Sequence, residues 1–175
     1  MDTIVFNNKT YNRYSNKWVD ENGMVAHQSL QNELNKTFYD SVCLASMNVE
    51  ELVAEGDNCK ENGSFILAVK YYESALEVCD QKTYQYILPK ISSCYRKCHS
   101  PQKAIELFTQ TKQKYGTSMI NAVLLTTAAA AYCDIDEFEN ARKCANKAYA
   151  KYNGKCPPEL ISVLARIKKE LGESN

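Results

Sequence analysis

Three stretches of the chain repeat one pattern of leucine, small and aromatic positions. When they are aligned on Ala68, Ala104 and Ala141, each has a leucine 16 residues earlier and a small residue 12 residues earlier. Apolar side chains recur at the i, i+3, i+4 and i+7 spacing of an amphipathic helix on both sides of a short polar turn. Each stretch therefore predicts a pair of packed helices. The matching positions are Leu52, Leu88 and Leu125; Gly56, Ser92 and Ala129; Cys59, Tyr95 and Tyr132; Tyr72, Phe108 and Ala145; and Ala75, Thr111 and Ala148.

The pattern also predicts where these helices begin and end. Asn48 or the residue before it is expected to cap the first helix, and Ser100 precedes Pro101 at the start of the fourth. Pro89 lies inside the third helix, which therefore either begins late, near Leu88, or kinks. The expected ranges are 49–61 and 65–79 for the first pair, 83–98 and 101–115 for the second, and 118–133 and 137–152 for the third.

The two ends of the chain follow other patterns. Residues 3–6, 10–14 and 17–19 are separated by turn residues and predict a small β-meander. Residues 29–42 predict a leading helix capped by Ser29, and Pro157 and Pro158 open a last helix that caps the array. The expected domains are a β-meander cap at 1–26, a leading helix and linker at 27–47, three helix pairs at 48–153 and a C-terminal capping helix at 154–175.

The repeat resembles the tetratricopeptide repeat (TPR) family over roughly residues 48–153. That family combines a small residue, an aromatic, and then alanine, aromatic and alanine, with a period of about 34 residues. Here the anchor alanines lie 36 and 37 residues apart. Gly56 with Tyr72 and Ala75 matches best, whereas the second unit lacks the glycine and the third has Ala145 where an aromatic is usual. The resemblance implies a mostly α-helical solenoid, an α-α superhelix.

The resemblance also implies a binding surface. The first helix of each pair lines the concave side of such an array, which in this family commonly holds a peptide or helix of another protein. We therefore predict an adaptor or scaffold that binds a partner protein and has neither catalytic activity nor cofactor. The residues expected on the concave side are Val53, Asp57, Lys60 and Glu61; Tyr86, Lys90, Ser93 and Lys97; and Val123, Thr126, Thr127, Ala130 and Asp134.

Charge is distributed unevenly although the total is zero. Residues 49–80 carry eight acidic and two basic side chains, whereas residues 81–116 carry one acidic and seven basic ones. Either the two regions attract each other across their interface, or a basic patch around Lys90, Arg96 and Lys97 receives an acidic partner segment. The zero net charge argues against nucleic acid or a membrane as the partner.

One TPR subtype is excluded by its binding residues. Domains that clamp the C-terminal carboxylate of heat-shock chaperones use Lys and Asn in the first unit, Asn in the second, and Lys and Arg in the third. The corresponding residues here are Val53, Asp57, Lys90, Val123 and Thr127. None of them matches, and Asp57 would repel a carboxylate, so we predict no clamp of this kind.

Eight cysteines and two histidines are the candidates for metal binding or catalysis. Cys94 and Cys98 lie four residues apart with His99 beside them, but metal sites usually show a second close pair of ligands, and none appears. Most cysteines fall on the apolar stripes, where they act as small hydrophobes. We predict no metal site, and reduced thiols in a cytoplasmic protein.

The N-terminal meander contains the single tryptophan, Trp18, together with Tyr11 and Tyr14. So small a sheet must pack on something to be stable. These rings therefore either belong to a cap on the helical array or form a second interface with a partner. An exposed strand edge or the last helix offers an alternative function, a self-assembling module that forms homo-oligomers.

Overall fold

The computed structural model describes residues 2–14 and 17–172, without the side chains of Tyr39, Val42 and Cys43. It divides into two compact units, residues 1–47 (unit 1) and residues 48–175 (unit 2). Within the described residues, no helix combines the length and the apolar character needed to cross a bilayer.

Unit 1 is an antiparallel sheet followed by one helix. The elements are β1 (Thr3–Phe6), β2 (Lys9–Tyr14) and β3 (Lys17–Asp20), in the order β1-β2-β3, and α1 (Gln28–Ser46). Asn7 and Asn8 connect β1 to β2 with positive φ angles of 50° and 60°. Two consecutive left-handed residues are what a tight hairpin turn requires, and asparagine adopts them readily. The predicted meander is confirmed.

Trp18 lies at the centre of unit 1. Its ring is fully buried beside Tyr11 and Leu34, and its indole Nε1 donates a hydrogen bond to Asn35 Oδ1 at 2.8 Å. Since buried rings cannot reach a partner, the predicted interface role of Trp18 and Tyr11 is wrong. Tyr14 is the exposed member of that set.

Polar contacts fix the first turn of α1. The Gln31 side chain bonds the backbone of Trp18 in both directions, accepting from its N–H at 2.9 Å and donating to its carbonyl at 2.8 Å. His27 caps the helix, because its Nδ1 accepts from the backbone N–H of Leu30 at 3.3 Å. The prediction of Ser29 as the cap is wrong, since Ser29 is already within the helix.

Unit 2 is a row of packed helices. They are α2 (Val49–Glu61), α3 (Phe65–Val78), α4 (Gln81–Lys97), α5 (Pro101–Tyr115), α6 (Ala122–Asp134), α7 (Phe138–Tyr152) and α8 (Pro158–Glu170), with a 3-10 turn at Gly116–Met119. Successive helices pack on each other, α4 also packs on α6, and α6 packs on α8. The predicted fold class, a mostly helical solenoid with a small N-terminal sheet, is confirmed.

Small side chains lie where paired helices approach each other. A Cβ added to Gly56 of α2 would lie 2.6 Å from Cε1 of the buried Tyr72 ring of α3, so a larger residue would displace that ring. Ser92 and Ala129, the corresponding residues of the next two pairs, are also buried. The repeat alignment therefore identifies the positions at which the helix backbones come close.

Side-chain caps mark the start of α2 and α6, as they do for α4. Asn48 and Glu51 form a reciprocal capping box at α2, which confirms Asn48 as the cap. Asn121 Oδ1 accepts from the backbone N–H of Leu124 at 2.8 Å and caps α6. The predicted start of that helix near residue 118 is wrong, because Gly116–Met119 forms the 3-10 turn instead.

The two internal prolines occupy different helical positions. Pro89 lies inside α4, which is helical on both sides of it, so a late start near Leu88 is wrong, and a kink stays a prediction. Pro101 is the first residue of α5, as predicted. Ser100 precedes it, but its hydroxyl donates to the Cys98 carbonyl at 3.3 Å and does not cap the helix.

Candidate partner-binding face

The predicted partner-binding side chains of α2 and α4 reach the surface. All of them are exposed or half-buried, so a partner has access to them. We call this set the first-helix face. Its members are Val53, Asp57, Lys60, Glu61, Tyr86, Lys90, Ser93 and Lys97.

The corresponding part of α6 is buried. Thr126, Thr127 and Ala130 are each at most 2% exposed, and both threonine hydroxyls donate to carbonyls one turn earlier in the helix. Because α4, α5, α7 and α8 all pack on α6, little of this helix remains accessible. The prediction of these three residues as partner-binding is therefore wrong, whereas Val123 and Asp134, near the ends of α6, are exposed.

Asp57 and Lys90 of the first-helix face bind each other. Lys90 Nζ lies 2.6 Å from both carboxylate oxygens of Asp57 and donates to the Tyr86 hydroxyl at 2.6 Å. The Tyr72 hydroxyl donates to Asp57 Oδ1 at 2.5 Å. These four side chains, here the Asp57–Lys90 cluster, join α2, α3 and α4.

The electrostatics of this cluster favour a structural role for Lys90. Burial lowers the pKa of the Lys90 ammonium, but hydrogen bonds to Asp57 and Tyr86 outweigh burial and raise the pKa above its ordinary value. Burial, followed by the hydrogen bond to Asp57, raises the pKa of Tyr72. The acidic and basic regions of the sequence thus meet at this pair, which favours attraction between the regions over partner binding for Lys90.

A second cluster joins α4, α6 and α8. Arg96 Nε lies 2.7 Å from Asp134 Oδ2, and Arg166 Nη1 lies 3.0 Å from Asp134 Oδ1. Arg166 Nη2 also donates to the carbonyl of Cys133 at 2.7 Å, and Arg96 Nη1 lies 3.4 Å from Glu159 Oε1. We call this group the Arg96–Arg166 cluster. Its two arginines balance its two acidic residues.

An open cleft of about 500 Å³ lies beside the Arg96–Arg166 cluster. Lys97, His99 and Gln102 line it together with both arginines. Lys97 is exposed and has no ion-pair partner among residues 2–14 and 17–172. The cleft therefore carries one unbalanced positive charge.

Arg166 is the member of this site that sequence reasoning missed. It lies 32 residues after Asp134, on a helix whose apolar stripe predicts only a capping role. Its guanidinium reaches Asp134 because α8 packs on α6. No local motif around Arg166 signals this contact, so only the three-dimensional packing reveals it.

The described cysteines are reduced, and several of them are buried. Seven described cysteines have free thiols, and no group of three His, Cys, Asp or Glu side chains in the described part of the chain is placed to hold a metal ion. Burial raises the pKa of Cys94 to about 11 and also raises the pKa of Cys133 and Cys144. These thiols stay protonated at neutral pH, and a protonated thiol is a poor ligand and nucleophile.

No protein-family model and no curated protein matches the chain, but solved structures do. The Sgt2 TPR domain from Aspergillus fumigatus matches at 15% sequence identity with a TM-score of 0.62, over 71% of this chain and 80% of that one. The first TPR of Spaghetti (RPAP3), solved with the HSP90 peptide SRMEEVD, matches at 13% identity and a TM-score of 0.60, over 71% and 94%. The C-terminal TPR-containing domain of a Plasmodium falciparum FK506-binding protein matches at 16% identity and 0.54, over 74% and 95%.

The chain has a TPR-like fold. The resemblance predicted from the Gly56, Tyr72 and Ala75 spacing is thereby confirmed. At these identities the likeness concerns the fold and not particular side chains. In terms of the TPR fold, α2, α4 and α6 are the first helices of three pairs, and α8 is the terminal helix.

Proposed function

We propose that this TPR-like chain is a non-catalytic interaction module that binds an acidic peptide or helix of a partner protein on its first-helix face and in the adjoining cleft at the Arg96–Arg166 cluster, which shares Lys97 with that face. The observation that carries the proposal is the open cleft at the Arg96–Arg166 cluster, where Lys97 has no ion-pair partner in the described residues. The TPR fold supports it, because stacked first helices form an extended surface for a peptide. The Spaghetti domain, which has this fold, holds a peptide with two adjacent glutamates.

The cleft has the donors that a carboxylate requires. A guanidinium carries five N–H donors, and the contacts of Arg96 with Asp134 and Glu159 use only part of them. Lys97 adds a positive charge that forms no ion pair with a described residue. A partner carboxylate can therefore form charge-assisted hydrogen bonds here without breaking the ion pairs that join α4, α6 and α8.

The other part of the face provides contact area. The Tyr86 ring is 53% exposed, and Lys90 Nζ lies 3.9 Å from its centroid, which holds the ring in place. An exposed aromatic ring of fixed orientation makes a good contact for an apolar side chain of the partner. The Asp57–Lys90 cluster, to which this ring belongs, is neutral as a whole and joins α2 to α4.

The proposed mode differs from the chaperone carboxylate clamp. Asp57 and Lys90 neutralise each other, and Val53 and Val123 carry no charge. A free C-terminal carboxylate is therefore not required, and acidic side chains within the partner segment serve as the ligands.

Quantitative affinity capture from a native cell extract tests the proposal. The variant Lys97→Glu/Gln102→Glu places negative charge in the cleft and breaks no ion pair found among the described residues. The matched control Lys70→Glu/Gln110→Glu makes the same chemical changes at exposed positions of α3 and α5. We expect to find proteins that the wild type and the control enrich equally but that the cleft variant does not enrich. Equal recovery of these proteins by the cleft variant would contradict binding at this site. If the wild type enriches no protein, the proposed function as an interaction module is contradicted.

Self-assembly is a second candidate, favoured by the outer strand of unit 1. Strand β1 is at the edge of the sheet, and its Val5 side chain is 68% exposed. An exposed apolar edge strand can pair with the same strand of another copy. Sedimentation equilibrium with the wild type and Val5→Lys separates the cases, since only a β1-paired dimer would be lost in the variant.

A further inference from the structure

A second cleft lies on the side of unit 2 formed by the second helices of the pairs. It has a volume of about 370 Å³ and is bordered by α5, the 3-10 turn, α6 and α7. This size is within the range of sites that take a small ligand or a few side chains. None of its lining residues belongs to the first-helix face or to the Arg96–Arg166 cluster.

The floor of this cleft is apolar. It is formed by Phe108, Ile120, Leu125, Tyr132 and Cys144. All of these except the half-buried Tyr132 are less than a tenth exposed, and all lie in or against the main core of unit 2. Because the core holds the floor in place, the cleft is a pre-formed apolar site rather than a gap between mobile side chains.

The rim of the cleft is basic. Lys112 of α5 and Lys143, Lys147 and Lys151 of α7 surround the apolar floor, and none of its described lining residues is acidic. All four lysines are exposed. None takes part in an ion pair within the described residues, in contrast to Lys90 and Arg96. Four unneutralised positive charges around an apolar floor form a surface that favours an anionic, amphipathic ligand.

The spacing of these charges indicates the kind of ligand. Lys143, Lys147 and Lys151 recur every four residues, so they form a row along α7 with neighbours about 6 Å apart and a length of about 12 Å. Glutamates four residues apart on a second helix have the same spacing. A fatty acid presents only one carboxylate, and a nucleic acid backbone lacks the apolar side chains that would fill the floor.

We propose that this cleft, the α5–α7 cleft, binds an acidic amphipathic helix of a partner protein. One or two large apolar side chains of that helix occupy the floor, and its glutamates or aspartates lie along the lysines of α7. The site is separate from the first-helix face, so the chain joins two partner segments, one on each side of unit 2. If the α5–α7 cleft does not bind such a helix, the proposed function of the first-helix face is unaffected.

The test uses a fluorescein-labelled helical peptide of about four turns with leucine and phenylalanine on one face and flanking glutamates. Fluorescence anisotropy measures its affinity for the full-length protein. A second peptide has every glutamate replaced by glutamine. We expect the acidic peptide to bind at least about tenfold more tightly than the glutamine peptide, because the four lysines have no ion-pair partner among the described residues.

Three variants locate the binding. Lys143→Glu/Lys147→Glu should weaken binding by about tenfold or more, through lost attraction and added repulsion. The control Lys70→Glu/Lys169→Glu changes the net charge equally on exposed residues outside the cleft and should leave the affinity unchanged. Ala150→Trp keeps all four lysines and places a ring at an exposed lining position, so it should abolish insertion of the apolar side chains.

Each other outcome overturns the proposal. Equal binding of the glutamine peptide would show that the lysines do not select the ligand. Equal weakening in the Lys70→Glu/Lys169→Glu control would show unspecific attraction. If the backbone amide shifts of the ¹⁵N-labelled protein change in α2 and α4 instead of α5 and α7, the peptide binds the first-helix face. Binding to phosphatidylserine vesicles that is lost in Lys143→Glu/Lys147→Glu, without binding of the peptide, would assign the surface to anionic lipid.

Discussion

The first and third helix pairs of unit 2 have different side chains at the same helix–helix contact. In the first pair the Tyr72 ring of α3 lies against Gly56 of α2, so that a single added carbon would clash with the ring. In the third pair the same repeat positions hold Ala145 and Ala129, and both are fully buried. A ring opposite glycine and a methyl group opposite a methyl group both bring two helices together. The contact therefore requires one small residue, and the residue that faces it can be a ring or another small side chain.

The largest effect is expected from removing the ring. Tyr72→Ala deletes a fully buried aromatic side chain opposite a glycine that cannot fill the space. We expect the free energy of unfolding to fall by about 3–5 kcal/mol, measured by urea unfolding with far-UV circular dichroism. Tyr149→Ala removes an exposed ring from α7 and should change stability by no more than about 0.5 kcal/mol. A similar loss in both variants would contradict the assigned packing.

A double-mutant cycle tests whether the Tyr72 ring is what excludes a side chain at Gly56. In the wild type, Gly56→Ala should be destabilising, because its Cβ would lie 2.6 Å from Tyr72 Cε1. In the Tyr72→Ala background it recreates the alanine–alanine contact of the third pair and gains the better helix propensity of alanine. We expect a coupling energy of about 2–3 kcal/mol between the two sites.

The reverse change in the third pair is the control for that cycle. Ala129→Gly should destabilise in every background, because Ala145 is too small to occupy the space that it leaves. If Gly56→Ala lowers the stability equally with and without the ring, the ring is not what excludes a side chain at Gly56.

Cys94 belongs to α4 of the second pair, and its ionisation reports whether water reaches the interior of unit 2. Its thiol is buried and has a pKa raised by burial to about 11 from an ordinary 9.0. Because the unfolded thiol ionises first, this contribution to stability is fully present below pH 9 and is lost between about pH 9 and 11. We expect a loss of about 1–2 kcal/mol over that window. The same measurement on Cys94→Ala should show a correspondingly shallower pH dependence, and equal slopes would show that water reaches the thiol.

Helix boundaries and helix contacts were largely predictable because their signals are local. The positions aligned on Ala68, on Ala104 or on Ala141 all lie within one helix pair. Likewise Glu51, the capping partner of Asn48, is only three residues away. The start of α6 was missed because the 3-10 turn before it carries no strong pattern. Asn121 is the signal that would have located it.

The binding side chains were less predictable because their exposure depends on distant parts of the chain. The helical period places Thr126, Thr127 and Ala130 on one side of α6, but it does not show that packed neighbours enclose that side. Trp18 likewise has an interface-type side chain and lies in the core of unit 1. The charge asymmetry left two interpretations open, and only the Asp57–Lys90 distance distinguishes them at that position.

The smallest effect is expected at the Asp57–Lys90 ion pair, which joins α2 of the first pair to α4 of the second. Both side chains are partly exposed, so a cycle of Asp57→Asn and Lys90→Met should give a coupling energy of only about 0.5–1 kcal/mol. Because the folded pKa of Lys90 is raised, its contribution is fully present below the ordinary lysine pKa and is lost as the pH rises through the folded value. The coupling should therefore be unchanged between pH 6 and pH 8 and decrease above about pH 10.5. A coupling near zero at neutral pH would mean that the first pair is held to the second by the contacts of α3 with α4 alone, and it would return Lys90 to the residues available to an acidic partner.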